Sequence, residues 1–303
     1  MGFLYLLEKI RMPGLNEAML AVTQLGEETA FLAIALIVFW CLDKKRGYYL
    51  MAVGFCGTIL NQFLKLLFRI PRPWILDENF TILEQAREAA AGYSFPSGHT
   101  QLAVGTFGAL AVTSQKRKWK VLFWTLAFLV SFSRMYIGVH TPYDVIASVV
   151  IALALVYGMR KIVMGGSEQG MRGIILGLLV LNLGLFAYVQ LWPFTADVDA
   201  HNLESGVKNA YTMLGCLSGV AMVYPLEKKY VNFETKAVWW AQILKVLLGL
   251  VAVLAVKEAL RSPLSWLFGE YPGRAVRYCL MVIVAGVLWP MTFRRFSKLG
   301  DKK

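Results

Sequence analysis

The sequence predicts an all-α, polytopic transmembrane bundle of about nine spans, and three observations carry that expectation. Hydrophobic residues make up 57% of the 303 positions, with a mean hydropathy of +0.55. Whole stretches lack charge, where a soluble core would alternate apolar and polar faces. The apolar runs also approach the roughly 20 residues that a helix needs to cross about 30 Å of hydrocarbon. A helical bundle follows, because each backbone polar group in lipid has to be satisfied within its own segment.

Nine runs qualify in order: 19–42, 48–68, 98–115, 120–138, 143–163, 172–193, 207–226, 237–257 and 273–293. The first is diluted by Glu27 and Glu28, with Asn16 and Glu17 just ahead of it, and its strongly apolar part is only Ala30 to Leu42. It reads as a short or tilted span, or as a helix half lying in the interface. No charged start leads into a short apolar stretch with a small-residue cleavage site, so no secretory signal peptide is expected. The longest outer connection runs from Arg69 to Phe95. Within it, Phe80, Ile82, Leu83 and Ala86 set against Glu78, Glu84, Arg87 and Glu88 predict a short helix over 77–91. Asp77 would cap it and Gly92 would stop it, and it would serve as a surface cover or as a lid selecting lipids. Lys245, inside the eighth run, is expected to snorkel to the cytoplasmic face or to pair with a buried acid.

Charge orients these runs. Five short segments hold 18 of the 31 Lys and Arg: Lys44-Lys45-Arg46, Lys116-Arg117-Lys118 with Lys120, Arg160-Lys161 with Arg172, Lys228-Lys229 with Lys236, and the tail from Arg294 to Lys303. They contain only five acids, Asp43, Glu168, Glu227, Glu234 and Asp301. With nine alternating helices all five fall on one side, which the positive-inside rule makes cytoplasmic. The N-terminus is then outside and the C-terminus inside. The net charge of +12 is thereby explained as topogenic charge, and no nucleic-acid partner is expected. Cys41, Cys56, Cys216 and Cys279 are scattered through apolar runs without metal-ligand spacing and read as packing thiols. No linker or convincing repeat divides the chain. Residues 1–165 are expected to form a five-span catalytic core, with 166–303 adding about four spans packed against it as one unit.

Polar groups of chemical interest all land on the side opposite the basic segments. They are Lys65 and Arg72-Pro73; Pro96-Ser97-Gly98-His99; and Ser133-Arg134 followed by His140 and Asp144. Phosphoryl transfer needs fixed donors for a phosphate carrying nearly two charges, an in-line nucleophile and a proton for the leaving alkoxide. Lys65, Arg72 and Arg134 can supply positive charge, arginine as a planar fork. Ser97 and the Gly98 amide precede a helix, whose first turn offers unpaired backbone donors. His140 and His99 are candidate nucleophile and general acid. A helix beginning near Thr141 would bring Asp144 under the His140 ring to orient it. Charges at a membrane boundary are costly, which favours a functional reading of the set. Arg69, between Lys65 and Arg72, is either an exposed loop base or a contact for a second phosphate. His201, in an outer loop with Asp197, Asp199 and Glu204, reads as a surface residue.

Taken together, Lys65-x6-Arg72-Pro73, Pro96-Ser97-Gly98-His99 and Ser133-Arg134-x5-His140-x3-Asp144 resemble the three signature motifs of the type 2 phosphatidic acid phosphatase (PAP2) superfamily. The resemblance covers residues 65–144 with every signature position filled. It implies that Lys65, Arg72, Ser97, Gly98 and Arg134 bind phosphate. It also implies that His140 forms a phosphohistidine, that His99 protonates the leaving group, and that Asp144 partners His140. It further implies hydrolysis with no metal and no other cofactor. Many bacterial members resemble a six-span bundle, whereas the nine-run layout is similar to the glucose-6-phosphatase and sphingosine-phosphate phosphatase branches. The expected activity is therefore hydrolysis of a lipid phosphate or diphosphate (undecaprenyl diphosphate, phosphatidate or a sphingoid phosphate) at the extracytoplasmic face of a membrane, bacterial plasma membrane being the expected setting. A soluble sugar phosphate such as glucose 6-phosphate is the alternative substrate, and an anion-binding transporter is the alternative from another class. Broken helices in matching positions of the two halves would favour a transporter, and no such pair is found.

Overall fold

Every apolar run that the sequence picks out is helical over most of its length, and no strand occurs among the described residues. The computed structural model describes residues 1–87, 90, 92–195 and 198–299. Glu88, Ala91, Asp197 and the tail from 300 to 303, Asp301 among them, lie outside the described residues. Among the described residues, four helical segments are long and apolar enough to cross a membrane, Lys44–Leu76, Pro142–Met164, Glu168–Leu191 and Glu270–Ser297, or five if the bent pair Pro13–Gly26 and Glu28–Leu42 makes one span. The chain is an integral membrane protein. Its outward faces fit that solvent. In Pro142–Met164, Ile146, Val150 and Tyr157 point away from the protein at helical spacing, as do Leu176, Val180 and Leu183 in Glu168–Leu191.

The chain forms two compact units, each built from separated stretches. The first comprises Met1–Leu32, Val53–Lys161 and Leu191–Gly206. It opens with two helices before the first expected span, α1 (Gly2–Lys9) and α2 (Pro13–Thr23), the latter started by a proline at its first position. A 3₁₀ turn, Gln24–Gly26, follows α2, and the chain breaks at Glu27 before α3 (Glu28–Ile37). The two halves of this first run are bent by 57°. The sequence left that run open between a span and an interfacial helix, and it is a broken helix. The bend is seated tightly, because a Cβ on Gly26 would stand 2.8 Å from Val130 Cγ1 and 3.0 Å from the His99 carbonyl oxygen.

α4 (Lys44–Phe68) and a single turn, α5 (Pro73–Leu76), lead into the outer connection. The helix expected over 77–91 is not present in the described part of that segment: only Glu84–Ala86 makes a 3₁₀ turn. The physical reason is burial at alternate positions. Phe80 and Ile82 both sink into a cluster with Leu4 while Thr81 between them stays exposed, a spacing that suits extended chain and not a helix. Arg11 fixes this stretch by donating from Nη1 to the Thr81 carbonyl at 2.9 Å, and Glu8 accepts from the Thr81 amide and hydroxyl. Asp77 is not a cap of a following α-helix; it accepts from Tyr5 Oη and the Asn79 amide. Ala86 and Ala90 pack on Tyr136, Ile137 and Val139, so the connection covers the end of the helix that carries Arg134.

α6 (Gly98–Thr113) and α7 (Arg117–Tyr136) pack side by side, with Trp124 tight against Gly108 and Phe107 stacked on Phe123 at 6.5 Å. After a turn through Gly138, at φ +89°, α8 (Pro142–Met164) begins.

The second unit comprises Ala33–Ala52, Ile162–Gln190 and Val207–Lys303. α9 (Glu168–Leu191), α10 (Ala200–Leu226), α11 (Trp239–Ala259), α12 (Arg261–Phe268), α13 (Glu270–Ile283) and α14 (Phe293–Ser297) complete the order. Gly215 and Gly219, four apart on α10, meet Ala275 and Val282 of α13 so closely that a methyl group at either position would clash with backbone or branched side chain. Trp40 donates to the Ala285 carbonyl at 2.8 Å, and Lys44 pairs with buried Glu227 at 2.8 Å. Lys245 is fully buried. Its ammonium donates to the Thr235 carbonyl at 3.1 Å and lies 4.4 Å from the Phe293 ring centre, so a carbonyl and an aromatic face take the place of the acid or the aqueous edge foreseen for it.

Candidate active site

The three motifs converge in the first unit on one cavity of about 370 Å³. Lys65, Arg72, Gly98, His99, Arg134 and His140 all line it. Separations of up to 75 positions along the chain collapse there, because α4, the start of α6, the end of α7 and the α7–α8 turn meet at one end of the unit.

Lys65 and Arg72 are held by backbone carbonyls, and Arg134 by a side-chain hydroxyl. Lys65, in the last turn of α4, donates to the Tyr93 carbonyl at 2.6 Å. Arg72 donates from Nε to the Gly92 carbonyl at 3.0 Å and from Nη1 to the Val139 carbonyl at 2.9 Å. Gly92 has φ +80° and the Asn202 amide lies directly against it, so a side chain there is excluded on two grounds. Arg134 is buried and donates from Nη1 to the Thr23 hydroxyl at 2.6 Å, while its Nε finds no partner among the described residues. Fixed, desolvated cations of this kind cost little reorganisation when they meet an anion.

Ser97 caps α6. It is buried, and its hydroxyl accepts from the Thr100 amide at 3.4 Å. Gly98 opens the helix where an added Cβ would stand 3.6 Å from Asn61 Oδ1, and Asn61 Nδ2 donates to the Pro96 carbonyl at 3.3 Å. The first turn of α6 therefore presents its amides beside His99.

His140 is buried at the α7–α8 turn. Arg72 Nη1 lies 3.0 Å from its Nε2 and 3.5 Å from its Nδ1. A guanidinium can only donate, so Nε2 is the acceptor and the ring proton sits on Nδ1. That proton faces Asp144 Oδ2 at 3.5 Å and Ser94 Oγ at 3.4 Å. Burial first, and the Arg72 charge second, hold the imidazole well below its ordinary pKa, which keeps Nε2 a lone-pair donor. Asp144 is in turn fixed by Ser94 Oγ at 2.6 Å and the Thr141 amide at 2.7 Å. The Asp144 amide meets the Thr141 hydroxyl at 3.3 Å, so Thr141-Pro142-Tyr143-Asp144 is a reciprocal helix cap. The residue that orients the histidine also starts the helix.

Arg69 does not line the cavity. It has φ +52°, donates to the Leu66 carbonyl at 3.1 Å and lies over Phe194. His201 is exposed as expected, yet it stands at the cavity rim with Asn202 and Ser205. Sequence reasoning missed Ser94, Thr23 and the cavity-lining Gly26–Thr29. A serine two residues before Pro96 carries no signal of its own, but the Thr-Pro-x-Asp cap was legible. Thr23 meets Arg134 across 111 positions, a pairing that no local pattern announces.

The PAP2 superfamily model matches residues 45–166, and the model described as PAP2 superfamily phosphatase, transmembrane extension matches 211–302. Among curated proteins, the undecaprenyl-diphosphatase of Bacillus subtilis is 31% identical over 127 residues, which is 41% of this chain and 63% of that protein. Phosphatidylglycerophosphatase B of the same organism is 28% identical over 161 residues, 49% of this chain and 75% of that protein. Sphingosine-1-phosphate phosphatase 1 of Mus musculus is 25% identical over 276 residues, 84% of this chain and 62% of that protein. The chain thus spans less than two thirds of the length of the first and third of these relatives. No solved structure matches significantly. With its motifs gathered on one cavity and both family models matched along its length, the chain belongs to the PAP2 superfamily.

Proposed function

We propose that this protein is a membrane phosphatase that hydrolyses a lipid phosphate or diphosphate through a phosphohistidine, without a metal ion. The observation that carries the reading is His140, whose Nε2 meets Arg72 in the lining of a cavity that Lys65, Arg134 and a second histidine also line. Lys65, Arg72, Arg134, Ser97 and the amide of Gly98 hold the phosphoryl oxygens. His140 Nε2 attacks phosphorus while the bond to the leaving oxygen breaks, and protonated His99 gives that oxygen its proton. Water then attacks the phosphohistidine, His99 takes back a proton, and the phosphorus–nitrogen bond breaks to free inorganic phosphate. Asp144 and Ser94 stabilise the positive charge that appears on the ring.

Three features of the molecule support a lipid substrate in the outer leaflet. The relatives named above are lipid phosphatases by name, the helices adjoining the site have apolar outward faces, and the five basic segments lie away from the motifs in a nine-span topology. The head group would enter the cavity while its chain stays among the helices. In this reading residues 1–165 are the catalytic core, residues 166–303 add further spans, the N-terminus and site are extracytoplasmic, and the membrane is a bacterial plasma membrane.

Inorganic phosphate release by detergent-purified protein in EDTA tests the reading. The panel is undecaprenyl diphosphate, phosphatidate, sphingosine 1-phosphate and glucose 6-phosphate. Activity on a lipid, reduced at least about a thousand-fold in His140→Ala with the fold retained, is the expected result. Activity on the sugar alone would replace the lipid by a soluble substrate. Turnover retained in His140→Ala would overturn the mechanism, and folded protein silent on all four would return an anion-binding transporter to consideration.

A further inference from the structure

A buried arginine without a partner stands in the second unit, in the helical segment Glu270–Ser297, near the end opposite Arg294 and Arg295. Arg277 is 7% exposed, its Nε is enclosed and unsatisfied, and its guanidinium makes no hydrogen bond or ion pair with the described residues. Its neighbours add positive charge. Arg261 and Arg274 are close enough to repel it, while Glu258 attracts it without forming an ion pair. The Glu258 side chain is 64% exposed and lies 4.0 Å from Lys257. Between positions 257 and 277 four bases stand against two acids. Topogenic charge does not account for them, since in a nine-span topology this end faces away from the five basic segments. A buried guanidinium left unpaired in a membrane-spanning segment is costly, and a ligand anion is what would repay it.

The surroundings hold the charges ready. Arg274, one helical turn before Arg277, donates from Nε to Thr212 Oγ1 at 2.6 Å, and that hydroxyl donates to the Lys208 carbonyl at 2.8 Å. The terminal nitrogens of Arg274 make no hydrogen bond with the described residues. Both guanidiniums lie against Tyr278, their central carbons 5.3 and 5.6 Å from its ring centre. Two planar forks on successive turns, with donors to spare, match the oxygens of a phosphate group. α12 sets the depth at which this group would sit. It packs so closely on α13 that a side chain at Gly273 would clash with the Leu264 carbonyl. It also exposes Trp266, Leu267 and Phe268 together, an arrangement suited to the membrane–water boundary, where lipid phosphates lie. A zwitterionic head group would bring a cation of its own to this cluster, whereas an anionic one would offset the excess of positive charge.

We propose that Arg274 and Arg277, with exposed Arg261 at the rim, bind the phosphodiester head group of an anionic phospholipid of the surrounding bilayer. The site shares no residue with the catalytic cavity, and the proposal stands independently of the hydrolase reading.

Native mass spectrometry of the full chain in detergent tests it, with phosphatidylglycerol and phosphatidylcholine of equal chain length added in turn. Native protein should hold one phosphatidylglycerol about ten-fold more tightly than phosphatidylcholine. Arg277→Gln, alone or with Arg274→Gln, should cut that preference to within about two-fold, while Arg72→Gln in the catalytic cavity and Arg295→Gln at the other end of the helix should keep it. Arg277→Gln should also unfold in lipid-free detergent no earlier than native protein, because it removes a buried charge that has no partner. Earlier unfolding would reveal a partner within the protein and overturn the proposal. Equal retention of the two lipids, or a preference unchanged in Arg277→Gln, overturns it too. Loss of the preference in Arg72→Gln alone would place the lipid in the catalytic cavity, and displacement of the lipid by inorganic phosphate would make the occupant a free anion; either result defeats the proposal.

Discussion

Asp144 is where several demands meet on one side chain. It accepts from Ser94, accepts from the Thr141 amide that starts α8, and faces the proton of His140. Removing the Ser94 hydroxyl leaves a buried carboxylate with one donor fewer and the imidazole less firmly held. Ser94→Ala should therefore lower kcat by about five- to fifty-fold with little change in KM, as read from steady-state phosphate release. Of this group, His140 and Asp144 were readable from their spacing of four. Ser94 was not, because its partner lies 50 positions away and a lone serine in a loop is uninformative. His201 was read correctly as exposed, but its place on the rim depends on where α10 begins.

At the scale of elements, the bent first helix has the most consequence. Its two acids looked like defects in a span. They instead mark the break that brings Gly26 against His99 and Thr23 against Arg134. Thr23→Val keeps the shape and deletes the acceptor, leaving a buried guanidinium less well satisfied. It should reduce kcat/KM by about ten-fold and weaken orthovanadate inhibition in parallel, with Thr23→Ser restoring both. Gly26→Ala adds a methyl that meets Val130 and the His99 backbone, and should cost about 1–3 kcal/mol of stability, measurable as a lowered unfolding temperature in detergent. The segment after Asp77 shows the opposite error of reading. Its apolar residues fit a helical wheel, yet Phe80 and Ile82 are buried by contacts with α1, whose position no short-range pattern contains.

For the whole molecule, charge placement makes the strongest statement. Five basic segments on one side predict an inward C-terminus. A fluorescent protein fused after Lys303 should fluoresce in bacterial cells, whereas an alkaline phosphatase fused there should be inactive. The reverse pattern would require an even number of spans or an inverted insertion. The second unit contributes close helix packing through Gly215 and Gly219 and carries a buried lysine that meets a carbonyl and an aromatic ring.

Sequence alone determined the helical membrane class, since hydropathy and backbone satisfaction in lipid are properties of contiguous residues. It also determined the three motifs, because each holds its chemistry in one short contiguous stretch at the end of a helix or across a turn between two. Only tertiary structure decided which groups complete the site. Thr23 and Glu27, Ser94, and Asn202 reach it from three separate stretches, and each owes its place to contacts with segments distant along the chain. Their number in the sequence says nothing of that meeting, which comes from burial and close packing of whole helices.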